Sequence, residues 1–167
     1  EKGNVRAQIY LGAMFERGQG VAKNDDTALE WFMRAAKQGS KNGQYALGQF
    51  YAKKKDYKNA TKYWKFAAEQ GVLRAQHNLA SAYDVGNQVP QDYKVAIKWY
   101  TAAARQGGIL SQGRLGEIFS AGIGVKKDYI AAFKWYQMAA KQGNAISQER
   151  LGLMYIMGWG VSIDNQK

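Results

Sequence analysis

The segment ALEWFMRAAKQG at residues 28–39 decides the fold, because it returns three more times along the chain. The later copies are ATKYWKFAAEQG at 60–71, AIKWYTAAARQG at 96–107 and AFKWYQMAAKQG at 132–143, so their closing glycines are 32, 36 and 36 residues apart. In each copy an alanine, two aromatic residues and an alanine pair follow the spacing of one helix face. A period of roughly 30–40 residues is typical of an α-solenoid.

A second landmark, a leucine followed by glycine or alanine, repeats in the same phase and predicts another helix in each unit. These leucines are Leu11, Leu47, Leu79, Leu115 and Leu151. Glycine inside a helix costs about 1 kcal/mol relative to alanine. Its recurrence beside the leucine therefore predicts that a neighbouring helix passes too close for a side chain.

Each second helix is predicted to begin after an Asx residue that caps its free N–H groups, and to end at the closing glycine. The caps are Asn24, Asp56, Asp92, Asp128 and Asp164. The predicted repeats, within a single domain over 1–167, are 5–39, 40–71, 72–107, 108–143 and an incomplete 144–167. Because neither end carries a polar capping helix, we expect a segment of a longer array that could self-associate through its ends.

The full pattern, A-x-x-x-L-G-x-M-F-x-x-G-x-G-V and then Asx-x-x-x-A-x-x-W-F-x-x-A-A-x-Q-G, resembles the Sel1-like repeat (SLR) family. This family is close to tetratricopeptide repeats, and the resemblance covers Ala7 to Asp164. It implies an all-α right-handed superhelix of antiparallel helix pairs. The second unit departs from the pattern, since Lys53, Lys54 and Lys55 replace its Gly-x-Gly-Val loop.

The resemblance also implies a function, that of a non-enzymatic protein-interaction adaptor, often in bacterial exported or signalling systems. It thereby favours a bacterial periplasmic or secreted location. A cysteine-rich branch of the family binds β-lactams, but the chain has no cysteine, so that activity is not implied. The lack of cysteine also excludes disulfides and thiolate metal sites, and no cofactor or metal is predicted. No apolar run approaches the roughly 18–20 residues of a membrane span.

The candidate binding residues lie where the repeat pattern is not fixed. Counted from each leucine, positions −5, −2, +2, +5 and +6 share the face opposite the core, and by analogy with tetratricopeptide arrays this face lines the concave groove. The candidates are Arg6, Ile9, Arg17, Tyr45, Gln49, Arg74, His77, Ser81, Asp84, Glu117, Glu149, Leu153, Ile156 and Met157. The apolar residues at the end are either a docking site for a helix or peptide, or a contact with a further repeat.

Other conspicuous residues favour structural roles. His77, the only histidine, has no metal-ligand cluster around it and is interpreted as a surface contact residue. The Gly-x-Gly pieces join helices, with no preceding strand, which favours structural turns over phosphate binding. The paired aromatic rings follow the core stripe, which favours packing over base stacking.

The formal net charge of +11 favours an acidic partner. The predicted basic patch comprises Lys53, Lys54, Lys55, Lys58, Lys62 and Lys65. It is either a solvated convex face or a contact for an acidic protein surface or anionic polymer. Nucleic-acid binding is disfavoured, because the aromatic residues that would stack on bases belong to the core.

The sequence therefore predicts a scaffold that binds a protein or peptide partner on its concave face. A competing hypothesis is a module associated with a cell-wall or carbohydrate-processing enzyme, and a third is a basic platform for nucleic acid. The enzyme hypothesis needs converging carboxylates, whereas Glu16, Asp84, Glu117 and Glu149 are scattered one per repeat.

Overall fold

The structure is a computed structural model that describes residues 3–86 and 89–160. Within these ranges the chain forms nine α-helices of 13 residues each and no strand, which confirms the predicted all-α repeat fold. The helices are α1 (Val5–Arg17), α2 (Asp25–Lys37), α3 (Lys41–Lys53), α4 (Tyr57–Glu69), α5 (Leu73–Val85), α6 (Tyr93–Arg105), α7 (Ile109–Ala121), α8 (Tyr129–Lys141) and α9 (Ala145–Met157).

Each helix packs mainly against the helices before and after it in the chain. The odd-numbered helices are the first helices of the repeats, and the even-numbered ones are the second helices. First helices of neighbouring repeats also contact each other directly, α1 with α3 and α7 with α9. The first helices therefore form a layer of their own, which brings their outward faces together along the array.

Local chemistry sets both ends of the second helices as predicted. The side chains of Asn24, Asp56, Asp92 and Asp128 each accept a hydrogen bond from the backbone N–H three residues later, at 2.8–3.0 Å. The helices end at glycines with φ of 75–88°, a left-handed conformation that glycine adopts without steric cost. These glycines are Gly39, Gly71, Gly107 and Gly143. The fifth predicted cap, Asp164, lies outside the described residues.

The core contains the repeated alanines, the leucines of the second to fourth repeats and one ring from each aromatic pair. Leu47, Leu79 and Leu115 have no exposed surface. The second ring of each pair is almost completely buried, whereas the first ring is half-buried. The buried rings are Phe32, Trp64, Tyr100 and Tyr136. The prediction that the aromatic residues serve packing is therefore confirmed.

The glycines that follow Leu11, Leu47 and Leu115 lie directly against these buried rings. A Cβ atom added to Gly48 would lie 2.5 Å from Cδ1 of Trp64, and one added to Gly116 would lie 2.5 Å from Cδ1 of Tyr136. Both distances are shorter than the contact distance of two carbon atoms that are not bonded to each other. The predicted close neighbour is present, but it is an aromatic ring of the same repeat's second helix rather than a helix backbone.

The Gly-x-Gly segments are structural turns, as predicted. All six glycines of the three segments have φ between 66° and 77°. A side chain on Gly124 would collide with Tyr93, and one on Gly160 would collide with the backbone of Tyr129. Each of these two loops therefore packs on the start of the preceding repeat's second helix, where only a bare backbone fits.

A ladder of glutamine side chains joins the repeats and was not predicted from the sequence. Gln142 Nε2 donates to Gln112 Oε1 at 2.8 Å within one repeat. Gln112 Nε2 in turn donates to the carbonyl oxygen of Ala104, in the preceding repeat, at 3.0 Å. The same two bonds recur one repeat earlier around Gln76. These hydrogen bonds satisfy buried amides and link consecutive repeats.

Candidate binding surface on the first helices

The candidate residues defined by positions −5, −2, +2, +5 and +6 are here termed the groove face. The structure leaves most of them accessible. Those classed as exposed are Arg6, Arg17, Arg74, Glu149, Leu153, Ile156 and Met157. Those that are half-buried are Ile9, Tyr45, Gln49, His77, Ser81 and Glu117. Asp84 alone among these candidates is buried, with 6% of its surface exposed.

Two clefts meet in the middle of the groove face, and His77 and Asn78 line both of them. The first, here termed the central cleft, has a volume of about 250 Å³ and is also lined by Gln49, Ser81 and Trp64. The second, the adjoining cleft, has a volume of about 410 Å³ and is also lined by Tyr45, Arg74 and Leu110. The structure therefore brings together five of the predicted residues on α3 and α5.

His77 packs between repeats and also lines both clefts, so its interpretation as a contact residue stays a prediction. Its Nδ1 lies 2.9 Å from Oγ of Ser111 on α7, and its ring centroid lies 5.5 Å from that of Tyr100 on α6. Burial lowers the pKa of His77 below its usual value. The imidazole is therefore neutral at neutral pH and acts as a polar, uncharged wall of both clefts.

Asp84 does not face the groove, and its assignment to the binding surface is wrong. Its carboxylate accepts two hydrogen bonds from Arg114 on α7, from Nε at 2.7 Å and from Nη2 at 2.9 Å. The Tyr100 hydroxyl donates to Oδ2 of Asp84 at 3.1 Å. Burial and the adjacent carboxylate raise the pKa of Tyr100, so the hydroxyl keeps its proton. The +5 position of this repeat faces the boundary with the next repeat.

The prediction that the carboxylates are scattered is also wrong in one place. Arg114 Nη1 donates to Glu117 Oε2 at 2.9 Å, so Asp84 and Glu117 meet on one guanidinium group across a repeat boundary. The hydrogen bond to Asp84, followed by that to Glu117, raises the pKa of Arg114. We term these three residues the Arg114 clasp, and both of its carboxylates are engaged by the arginine.

The predicted basic patch divides into two parts. Lys53 Nζ pairs with Glu16 Oε1 at 2.8 Å, and Lys54 pairs with Asp25, so both lysines bind acidic residues of the first repeat. The ion pair with Lys54 lowers the pKa of Asp25. Lys53 and Lys54 thus pair with acidic residues of the same chain, and their place in a patch for an external partner stays a prediction. Lys58, Lys62 and Lys65 are exposed along α4.

The apolar end of the groove face lies on α9. Ile156 is 79% exposed and Met157 is 58% exposed. Leu153 lines a further cleft of about 430 Å³ between α7 and α9, together with Glu117 and Trp159. The Trp159 ring stacks on that of Tyr129 at 4.9 Å. This end of the surface is thus apolar with a charged margin.

The described residues contain no cluster of three or more His, Asp or Glu side chains suited to a metal ion. In the same part of the chain, every helix is too short or too polar to cross a bilayer. The residues that sequence reasoning missed are Asn78, Arg114 and the cleft-lining Trp64. Asn78 and Arg114 both lie at position −1 from their leucine, a register between the core stripe and the groove face.

Comparison with known proteins identifies the family of the chain. The Sel1 repeat model matches residues 5–40, 42–72, 73–108, 109–144 and 145–167. The chain belongs to the Sel1 repeat family. Sel1 repeat proteins are generally non-enzymatic scaffolds that mediate protein interactions.

Two solved Sel1 repeat structures are similar over 95% of this chain. One is c5321 of uropathogenic Escherichia coli, a protective antigen with an SLR fold, at 39% identity and a TM-score of 0.89. The other is a Sel1 repeat protein of Oxalobacter formigenes, at 32% identity and a TM-score of 0.88. The chain spans 35% of the first protein and 67% of the second.

A curated relative is the Sel1-like repeat-containing protein L21 of Acanthamoeba polyphaga mimivirus. It is 38% identical over 80 residues, which is 48% of this Sel1 repeat chain and 15% of the viral protein. The chain thus spans only a fraction of the length of the viral relative and of c5321.

Proposed function

We propose that this Sel1 repeat chain is an adaptor that holds an extended, acidic segment of a protein partner across α3, α5 and α7. One observation carries the proposal: the central and adjoining clefts share His77 and Asn78 as lining residues, so two neighbouring clefts lie side by side across three repeats. An extended segment spans about 3.3 Å per residue, so a few residues suffice to run along both clefts.

The variable chemistry of the groove face supports this assignment. At position −2 from the repeated leucine, the successive residues are Ile9, Tyr45, His77, Gly113 and Glu149. The leucines of the first helices, and the buried aromatic rings and Asx caps of the second helices, keep their residue type from repeat to repeat. Core packing requires the constant positions, whereas the variable ones remain available for selecting a partner.

The exposed charges of the groove face favour an acidic segment. Arg6, Arg17 and Arg74 are exposed there, and the chain carries a net charge of +11. Arg74 lines the adjoining cleft, next to Leu110. An arginine can bind a carboxylate with two parallel hydrogen bonds, so Arg74 offers a specific contact for an aspartate or glutamate side chain.

Site-specific photo-crosslinking tests the proposal. A benzophenone amino acid replaces Arg74 in the groove or Lys62 on α4, and each variant is irradiated in cells of the source organism. We expect discrete protein adducts from position 74 and not from position 62, which is also exposed but lies on a second helix. Equal adducts at the two positions, or none at position 74, would contradict binding in the groove.

A further inference from the structure

The Arg114 clasp shows which groups meet at the boundary between the third and fourth repeats. Asp84 lies five residues after Leu79, the repeated leucine of its helix. Its carboxylate accepts one hydrogen bond from the Tyr100 hydroxyl, at 3.1 Å, and two from Arg114. Arg114 donates a further bond to Glu117. Asp84 thus has two roles, because it satisfies the buried hydroxyl and also pairs with the arginine.

The boundary between the fourth and fifth repeats keeps the tyrosine and the arginine but not the carboxylates. The residues at the registers of the tyrosine, the arginine and the two acids are Tyr136, Arg150, Ser120 and Leu153. The Tyr136 hydroxyl lies 3.3 Å from Ser120 Oγ, so the serine takes over the contact with the ring. Neither Ser120 nor Leu153 carries a charge. Accordingly, the ion pairs among the described residues do not include Arg150.

Arg150 is accessible in an open cleft. It is exposed, and it lines the cleft of about 430 Å³ between α7 and α9 together with Ser120 and Tyr136. We term this the α9 cleft. Burial raises the pKa of Tyr136, and the positive charge of Arg150 opposes that rise, so the guanidinium lies within electrostatic range of the hydroxyl. A ligand in the α9 cleft can therefore reach an arginine that has no ion pair with the rest of the described chain.

The charges around the α9 cleft favour an anion. Lys127 is a second exposed cation in its wall. Among the described residues that line the cleft, Glu117 is the only acid, and its carboxylate already accepts a hydrogen bond of 2.9 Å from Arg114. Leu153 and Trp159 add exposed apolar surface to the same cleft. The cleft therefore suits an acidic side chain that has an apolar neighbour.

We propose that the α9 cleft binds an acidic side chain of the protein partner, whose carboxylate pairs with Arg150 as Asp84 pairs with Arg114. The proposal rests on the adaptor function and names a further contact for its acidic segment. An arginine can hold a carboxylate through two parallel hydrogen bonds. Because the side chain of Ser120 is shorter than an aspartate, it leaves space at the register that Asp84 fills one repeat earlier.

The experiment follows the Arg150 Nε–H and the Trp159 indole N–H by ¹H–¹⁵N NMR during titration with the peptide alanine-aspartate-leucine, acetylated and methylamidated at its ends. We expect both signals to move and to saturate. The same peptide with asparagine in place of aspartate should bind roughly five- to tenfold more weakly. Equal affinity for the two peptides, or no saturable change at Arg150, would overturn the proposal. Tighter binding of acetyl-alanine-leucine, whose carboxylate is at the chain end, would overturn the assignment to a side chain.

Ser120→Asp provides the internal test, because it places in the fourth repeat the carboxylate that the third repeat carries. The new carboxylate should pair with Arg150, move its Nε–H signal in the free protein and weaken binding of the aspartate peptide by roughly tenfold. Arg150→Gln should weaken binding to a similar extent. Arg105→Gln is the matched control, since it makes the same change at an exposed arginine of α6 and should leave the affinity unchanged.

The two variants at the α9 cleft also keep the test independent of a single folding failure. Unchanged affinity in either Ser120→Asp or Arg150→Gln would contradict the proposed contact. Photo-crosslinking at position 74 reports on the adaptor function separately, at the adjoining cleft. Adducts at position 74 without peptide binding at Arg150 would contradict the α9 cleft proposal alone, and the reverse result would contradict the adaptor proposal alone.

Discussion

At the scale of single residues, the closest packing within a repeat is between a helical glycine and the buried ring of the following helix. The glycine is Gly12 against Phe32, Gly48 against Trp64 and Gly116 against Tyr136. The third repeat has Ala80 at this register, and Ala80 is completely buried. A Cβ atom would come within 2.5 Å of the ring at both Gly48 and Gly116, so neither position has room for a side chain.

Gly48→Ala should destabilise the protein by about 1–3 kcal/mol, because the added methyl group would displace the Trp64 ring in a filled core. Helix propensity alone predicts the opposite sign, a gain of up to about 1 kcal/mol. Equilibrium urea unfolding followed by circular dichroism measures the difference. Gly113→Ala on α7 is the matched control, because its Cβ would lie 3.4 Å from Ser147 Oγ, close to ordinary contact. A stabilised Gly48→Ala protein would contradict the steric argument.

At the scale of helices, a contact could be predicted from the sequence when its two residues lie close together in the chain. The caps at Asn24 and Asp56 act on N–H groups three residues away, so a short pattern is enough to predict them. The glutamine ladder connects residues about one repeat apart, such as Gln142 and Gln112. The glutamines recur in every repeat, but their partners depend on how the helices are stacked, which the pattern does not specify.

Gln112→Ala should lower the free energy of unfolding by about 1–3 kcal/mol, because Gln112 is 1% exposed and its loss leaves Gln142 and the Ala104 carbonyl without their partner. Thermal and chemical unfolding measure the change. Gln148→Ala is the matched control, since Gln148 makes the equivalent bond to Ala140 but is exposed. Its expected cost is below about 1 kcal/mol. Equal costs for both variants would show that burial of the ladder is unimportant.

At the scale of the whole molecule, side chains that meet across repeat boundaries could not be assigned from the repeat pattern. Glu16, Ala52, Asp84 and Ser120 share one register, so a rule based on helix faces places them all on the groove face. In the structure Glu16 reaches Lys53, whereas Asp84 is enclosed by Tyr100 and Arg114. The difference arises from the residues that the next repeat presents, which a single helix does not encode.

The candidate site, too, could be predicted from the repeat pattern only in part. The groove-face positions predicted five residues that line the central or the adjoining cleft. These residues are Tyr45, Gln49, Arg74, His77 and Ser81. Trp64 was correctly predicted as a core residue. Its indole N–H has no hydrogen-bond partner among the described residues, and this depends on the atoms that α3 places around the ring, which the repeat pattern does not specify.

Because a solenoid repeat is stabilised by its neighbours, the Arg114 clasp should couple the two halves of the array. Arg114→Met removes the partner of a buried carboxylate, at an expected cost of about 2–4 kcal/mol. Hydrogen exchange should accelerate most in α7, α8 and α9, while α1 to α4 keep their protection. Lys53→Met is the matched control, since it breaks an inter-repeat ion pair whose lysine side chain is 57% exposed, at a cost of at most about 1 kcal/mol. Uniform acceleration across all helices would instead mean that the array unfolds as one cooperative unit and that the clasp does not couple its halves.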